Sequence, residues 1–398
     1  MRKVVIVISI SLLSLCAEEK FKESKRKLEE TYKRGAQYLI KQQKENGAWQ
    51  DLAGKDDVAI TAIAVISLSG CKKYKGLYKK EIEKGVKFLI DNQQPDGGFY
   101  QPEKTPFFIT YPTALSIVAL KTVSAKKYNR FIRKAVVFLS KRQYSEDYKD
   151  LNEKNRDYGG WAYGGSREKE NKDTVDLSNT TYAVEALRKA GLPKDSVVWK
   201  RVIKFLSRTQ NFSETNDLAV AVDDGGFVYA PGKSKAGEVT GPNNTKGPKS
   251  YGSMTYAGLL SFIYAYVSKN DQRVQAAFSW IKKNYTLEEN PGLATEEKPV
   301  LGKQGLFYYY HTFAKALYHY GEDCFEILNK QGKKITTCWA LDLVDKLSTL
   351  QQQDGSWKND VDRWWESYPV LTTSYSLIAL NYARKSILNL KKNTKNNK

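Results

Sequence analysis

One turn is written repeatedly along this chain, and that repetition constrains the fold more than any other feature. "QKENGAW" (Gln43 to Trp49), "QQPDGGF" (Gln93 to Phe99) and "QQQDGSW" (Gln351 to Trp357) share one spacing, with Gly four residues after Gln and an aromatic two residues after that Gly. An aromatic-apolar pair precedes the Gln by five and four residues: Tyr38-Leu39, Phe88-Leu89, Phe138-Leu139 before Gln143, and Phe205-Leu206 before Gln210. A fifth copy has Trp280-Ile281 with Tyr285 in place of Gln, and a sixth has Leu347 before Gln351. Small residues recur just upstream, at Gly35, Gly85, Ala135 and Ala277. Apolar positions at this spacing among lysines predict amphipathic helices.

A second segment of different character follows each turn: "ITAIAVISLSG", "PTALSIVALKTV", "NTTYAVEALRKAG", "SMTYAGLLSFIYAYV", "YHTFAKALYHYG" and "LTTSYSLIALNYA". Each carries Thr near its start, at Thr61, Thr113, Thr181, Thr255, Thr312 and Thr373. Helices that are small and apolar almost all round are buried. The Thr is suited to a cap or first turn, where its hydroxyl satisfies an orphan backbone N–H. Six such hairpins cannot bury themselves singly, and stacking them gives one shared core. The expectation is an all-α (α/α)6 toroid, six inner and six outer helices, forming one domain over residues 18–385 although 398 residues would allow two. An open solenoid is the alternative.

The ends read differently. "MRKVVIVISISLLSLCAEEK" has a charged start and an apolar run from Val4 to Leu15, too short to span a membrane and suited to an export signal over residues 1–17. Leu15 and Ala17 fit ordinary signal cleavage, while "LSLC" reads as an imperfect lipoprotein box that would acylate Cys16. The expected location is therefore periplasmic, secreted or lipid-anchored, with no transmembrane helix in the mature chain. Residues 386–398 read as a basic tail. Export leaves Cys71, Cys324 and Cys338; the last two are placed to bridge a short loop or to remain buried thiols. The formal charge of +20 is spread over lysines along the chain, which suits a solvated surface or an anionic envelope partner. Nucleic-acid binding has no supporting motif and conflicts with export.

The Gln-x3-Gly-x-aromatic turns resemble the repeat of terpenoid cyclases and protein prenyltransferase β-subunits, from about Thr31 to Ala383. That resemblance implies a central cavity near the N-termini of the inner helices. It also implies, for a squalene-type cyclase, an Asp-x-Asp-Asp cluster that protonates an alkene, and the sequence contains none. The nearest substitutes are Asp56 with Asp57, Asp223 with Asp224, and Asp360 with Asp362. Asp56 and Asp57 equally suit a helix start, and Asp223 and Asp224 a turn. "YYYHTFAKAL" resembles the prenyltransferase segment that carries a zinc-binding His, which maps onto His311, but the preceding repeat lacks the Asp and Cys that would complete the site. No metal or other cofactor is expected.

Two long connections, Tyr144 to Asp176 and Asn211 to Gly252, carry "DYGGWAYGG" and "DDGGFVYAPG". Loops of that length are usually functional or disordered. Tyr163, Tyr229 and Tyr251 are candidates for an aromatic rim, with Trp364, Trp365 and Glu366 as a further rim segment; Thr255, Tyr310 and His311 complete the candidate cavity lining. Trp161 and Phe227 read as plugs between helices. Three functions are compatible with this pattern: a cavity for an isoprenoid-like or other apolar ligand, a non-catalytic toroid binding a protein or envelope polymer, and a glycan-active (α/α)6 enzyme, which would need facing carboxylates. An aromatic-lined cavity favours the first and a side-chain-filled centre the second.

Overall fold

The computed structural model describes residues 2–102, 108–148, 151–164, 175–218, 220, 222–241, 244–329 and 331–396, with side chains described at 19 and over 21–391 within those ranges. Thirteen helices are described, and twelve of them form six hairpins. The outer helices are α1 (Arg2–Gln42), α4 (Lys79–Asp91), α6 (Asn129–Ser140), α8 (Val197–Thr209), α10 (Gln272–Lys283) and α12 (Trp339–Leu350). Their inner partners are α2 (Val58–Ser69), α5 (Thr110–Ser124), α7 (Leu177–Ala190), α9 (Gly252–Tyr264), α11 (Leu306–Tyr320) and α13 (Pro369–Asn396), and α3 (Lys72–Leu77) is a short addition. Along the inner set α2 packs on α5, α5 on α7, α7 on α9, α9 on α11 and α11 on α13, and α13 returns to α2. The ring is closed, and α1 packs against both α12 and α13. Inner helices are buried on every side, as their composition predicts: in α9 only Ile263 escapes full burial.

The repeated turn is a three-part clamp. Its Gln amide donates to the carbonyl of the turn glycine and to a carbonyl in the next outer helix: Gln43 to Gly47 (3.0 Å) and Glu81 (2.9 Å), Gln93 to Gly97 (3.0 Å) and Phe131 (2.9 Å). Gln143 and Gln210 do the same with Val198 and Arg273. Gln351 reaches Thr31 at 2.9 Å and thereby joins the last outer helix to the first. Where Tyr285 replaces Gln, its hydroxyl donates to Asp342 on α12 (3.0 Å), so the fifth joint survives with different chemistry. The turn glycine is dictated twice over at Gly355: φ is 91°, and a Cβ there would stand 2.6 Å from the Arg34 carbonyl. The aromatics Trp49, Phe99, Trp161, Phe227 and Trp357 are wholly buried, and the indoles of Trp49, Trp161 and Trp357 donate to Leu39, Leu139 and Leu347 of the aromatic-apolar pairs. The small residue upstream makes room for the ring, since a Cβ on Gly35 would meet Trp357 at 2.6 Å.

The threonines act on the turn rather than on their own helix ends. Thr61, Thr113, Thr255 and Thr373 accept the backbone N–H of Trp49, Phe99, Phe227 and Trp357 at 2.9–3.1 Å. In the third unit Thr180, not Thr181, does this for Trp161. Thr312 only bonds back to Tyr308 and Tyr309 within α11.

Two features depart from the sequence reading, and one of its alternatives is realised. Short antiparallel ribbons join the helices: β1 (Trp49–Gln50) with β2 (Asp56–Asp57), β3 (Glu238–Thr240) with β4 (Lys246–Pro248), and β5 (Phe325–Leu328) with β6 (Lys334–Thr337). Cys324 and Cys338 form a disulfide that closes the base of the β5–β6 hairpin. The boundary at 386 is too early, because α13 runs on to Asn396 and Ser386 and Ile387 are buried; no Gly or Pro intervenes to stop the helix. Residues 2–18 continue α1 as helical backbone, while the side chains of the expected export signal, Cys16 included, lie outside the described residues. Among the described residues no helix is long and apolar enough to cross a membrane.

Candidate functional site

The N-terminal ends of the inner helices gather at one face of the ring, and aromatic residues from several units meet there. Ser178, in the first turn of α7, is the polar hub: the Tyr111 hydroxyl donates to it at 2.7 Å, and the Tyr308 hydroxyl lies 2.9 Å away. Below it Tyr182 stacks on His311, and Tyr375 approaches the same imidazole with ring centres 5.0 Å apart. Tyr182 and Tyr375 belong to α7 and α13, which stand opposite each other in the ring, and they share a hydrogen bond. Deeper still, Lys315 of α11 pairs with Glu185 of α7, and Lys189 bonds both Glu185 (3.0 Å) and Tyr382 of α13 (3.3 Å). The centre of the ring is thus occupied by side chains that touch across it.

This plug sets the local electrostatics. Burial pushes the Glu185 carboxyl up, but Lys315 and Lys189 outweigh it and hold the group below the ordinary carboxylate range. Burial, aided by the Lys315 charge, holds His311 well below its ordinary value, and burial lowers His319 to about 4. Both imidazoles are neutral at pH 7. His311 Nε2 is 3.4 Å from the Lys315 ammonium, so a proton on Nδ1 leaves that N–H without a partner among the described residues. His311 therefore belongs to the packed centre, not to a metal site, and the described residues hold no group of three or more His, Cys, Asp or Glu able to bind a metal.

Five of the six candidate proton donors are engaged in local structure. Asp57 caps α2 through the Ile60 N–H (2.8 Å), and Asp56 accepts from Asn46 (2.7 Å) and Gln50 (3.3 Å). Asp223 accepts both the N–H and hydroxyl of Ser213. Asp224 accepts from Gly226, Ser250 and the Trp280 indole. Asp362 takes the Ser367 N–H at 3.2 Å, and Asp360 is exposed. No pair among them forms the clustered carboxylates that the resemblance implies for alkene protonation.

The buried acids of this face are two others. Asp176 caps α7 through the Asn179 N–H and amide (2.9 and 2.7 Å) and also accepts from Tyr229; burial raises it to about 6. Sequence reasoning missed it, although it stands one residue before an inner helix, as Asp57 does. Glu366 accepts the N–H groups of Phe307 (3.2 Å) and Tyr308 (2.7 Å) at the start of α11 and the Asn359 amide (2.7 Å); burial raises it to about 7. The expected rim residue is thus a remote helix cap. Beside it Trp364 and Trp365 both adopt left-handed backbone, with φ of 59° and 64°, and both are exposed. Non-glycine residues held this way cost about 1–3 kcal/mol each. Arg363 lies over the Trp364 ring at 4.3 Å and bonds Gln304.

Of the remaining candidates, Tyr163 and Tyr229 stand at the mouth, half-buried, with hydroxyls 3.3 Å apart. Tyr251 and Thr255 are buried in the wall at the start of α9. Tyr310 points away from the centre, its hydroxyl donating to the Leu287 carbonyl at 2.6 Å. Phe108 and Tyr111 were not foreseen. Phe108 contacts Tyr163 edge-on (5.2 Å) and Trp365 (6.2 Å), and Tyr111 meets Tyr163 at 5.5 Å. An aromatic surface therefore runs from Trp365 through Phe108 and Tyr163 to Tyr111 above the filled centre.

Residues 53–227 match the family profile of the squalene-hopene cyclase C-terminal domain. No curated protein matches the sequence. Among solved structures, the apo type II terpene cyclase MstE from Scytonema is similar at 12% identity with a TM-score of 0.58, over 91% of this chain and 98% of that one. A variant of the same cyclase bound to its substrate geranylgeranyl dihydroxybenzoate is similar at 13% identity and a TM-score of 0.55, over 92% and 99% of the two chains. A family 76 glycoside hydrolase from a bovine Bacteroides thetaiotaomicron strain is similar at 10% identity and a TM-score of 0.50, over 91% of this chain and 78% of that one. The chain has the terpenoid-cyclase-like α/α-toroid fold.

Proposed function

We propose that this toroid is an exported binding protein that holds an apolar, isoprenoid-like ligand across its aromatic mouth without carrying out acid-initiated cyclisation. The carrying observation is the contrast between an aromatic surface, exposed at Trp365 and Phe108 and half-buried at Tyr163 and Tyr111, and a centre closed by Tyr182, His311, Tyr375 and the Glu185–Lys315 pair. The packed centre weighs against an enclosed isoprenoid cavity and towards a non-catalytic toroid, so the ligand is placed on the rim and not inside the ring. The capped aspartates support the same reading. Likeness to a cyclase with a bound geranylgeranyl substrate makes an isoprenoid the first ligand to test. The Cys324–Cys338 disulfide suits an oxidising compartment and supports export.

The test is a tryptophan-fluorescence titration with geranylgeraniol, followed by mass analysis of the recovered ligand. Saturable quenching that is lost in Trp364→Ala/Trp365→Ala, with geranylgeraniol recovered unchanged, is the expected result. An unresponsive wild-type protein, or a cyclised product, overturns the proposal. A second reading, a glycan stacked on the same rim, is favoured by the exposure of Trp364 and Trp365; quenching by oligosaccharide and not by geranylgeraniol would select it.

A further inference from the structure

Next to the aromatic mouth lies an open cleft of about 610 Å³, walled by Tyr163 and Tyr229 on one side and by the loop from Gly232 to Glu238 with Pro248 on the other. Tyr163 belongs to both surfaces, so mouth and cleft are continuous. The loop is built rather than loose. Ala230 and Lys233 exchange both backbone hydrogen bonds, Ser234 donates to the Lys249 carbonyl at 2.6 Å, and Lys249 N–H donates to Gly237 at 3.0 Å. The β3–β4 ribbon extends it.

Its charge is one-sided. Among the described lining residues Lys233 and Lys235 stand against the one carboxylate of Glu238, and Lys246 and Lys249 lie in or just after β4. Among the described residues none of these four lysines forms an ion pair, whereas lysines elsewhere on the surface commonly do, as Lys73, Lys87 and Lys204 show. The Lys235 ammonium sits 4.4 Å from the centre of the Tyr229 ring, which holds it over the cleft wall. Two ammonium groups without an ion-pair partner among the described residues, beside one described carboxylate, suit a single small anion rather than a polyanion.

We infer that this cleft binds the anionic group, a phosphate or carboxylate, of an amphiphile whose apolar body lies on the mouth. The inference rests on the binding function proposed above and adds the ligand's second half. An apolar chain on Phe108 and Trp365 would bring its head past Tyr163 to Lys233 and Lys235, so one molecule engages both surfaces.

Three probes test it below their aggregation concentrations: dodecyl phosphate, dodecanol and inorganic phosphate, titrated into the full chain. Lys233→Ala/Lys235→Ala is compared with Lys126→Ala/Lys141→Ala, which removes the same charge from exposed positions elsewhere. The expected result is that dodecyl phosphate binds about tenfold more tightly than dodecanol, the gain of two partly exposed charge contacts. That gap closes in the cleft variant, persists in the control and narrows at high salt. No preference for the phosphate, or a preference equally reduced in both variants, overturns the inference. Lys233- and Lys235-dependent binding of inorganic phosphate with no binding of either dodecyl compound retains the anion site as one for a free anion and overturns the apolar mouth instead.

Discussion

Glu366 ties the exposed tryptophans to the start of α11, and its titration can be followed directly. Burial raises its carboxyl from the ordinary 4.5 to about 7. A group whose folded value lies above its unfolded one favours the fold when protonated. Its contribution is fully present below pH 4.5 and is lost as the pH rises through 7. The difference corresponds to ~3 kcal/mol between the two ends of that window. Glu366→Gln is uncharged throughout, so its stability relative to wild type should improve by that amount between pH 4 and pH 9. Unfolding entropy of about 2.1 cal/mol/K per residue over 398 residues converts this to a relative shift in Tm of ~4 °C. Melting curves of both proteins at one-unit pH intervals read it out. The constant offset between them reflects lost hydrogen bonds to Phe307 and Tyr308 and is not diagnostic; only its change with pH is. Asp176, raised to about 6, acts in the same direction in both proteins and cancels. Parallel pH profiles would mean that the carboxyl titrates near 4.5 and that the cap is wet, refuting the argument.

Other perturbations probe the ring and its plug. Gln351→Ala removes two hydrogen bonds, to Gly355 and Thr31, and should cost ~2 kcal/mol, with faster amide exchange in α1 by mass spectrometry; unchanged exchange there would show the closing clamp to be idle. Lys315→Met strands the buried Glu185 carboxylate beside Lys189 alone and should cost about 3–5 kcal/mol, whereas Lys315→Met/Glu185→Leu should recover part of the loss; chemical denaturation of the three proteins decides it. Replacing Cys324 and Cys338 with Ser opens a loop of sequence separation 14 and should lower stability by ~3 kcal/mol in the chain-entropy picture, seen as a lower melting temperature that reductant no longer shifts.

The ring was legible because its signals are local and repeated. Gln, Gly and the aromatic keep fixed spacing in three of the units, and each has a backbone task suited to its residue type. Even the fifth unit, where Tyr285 replaces Gln, follows that logic once Asp342 is seen opposite it. The site was legible only in part, because it depends on which side chains meet across the ring. Tyr182 and Tyr375 are far apart in sequence and close the centre together. Nothing in their own segments says that both point inward far enough to touch. Asp223 and Asp224 looked like chemistry and are turn formers, as Asp-Gly sequences usually are. Glu366 was expected as a rim residue, and its partners are N–H groups of a helix 58 and 59 residues away. Tyr310 was misplaced because an inner helix also has an outward face, on which its hydroxyl finds Leu287.

The joint between Gln351 and Thr31 bears on how the chain is made. The first outer helix emerges from synthesis 320 residues before the turn that completes its packing. A solenoid can grow from one end, each unit resting on the last. On the export proposed above that delay is an advantage, because the form that resists transport cannot assemble until the sixth turn is present.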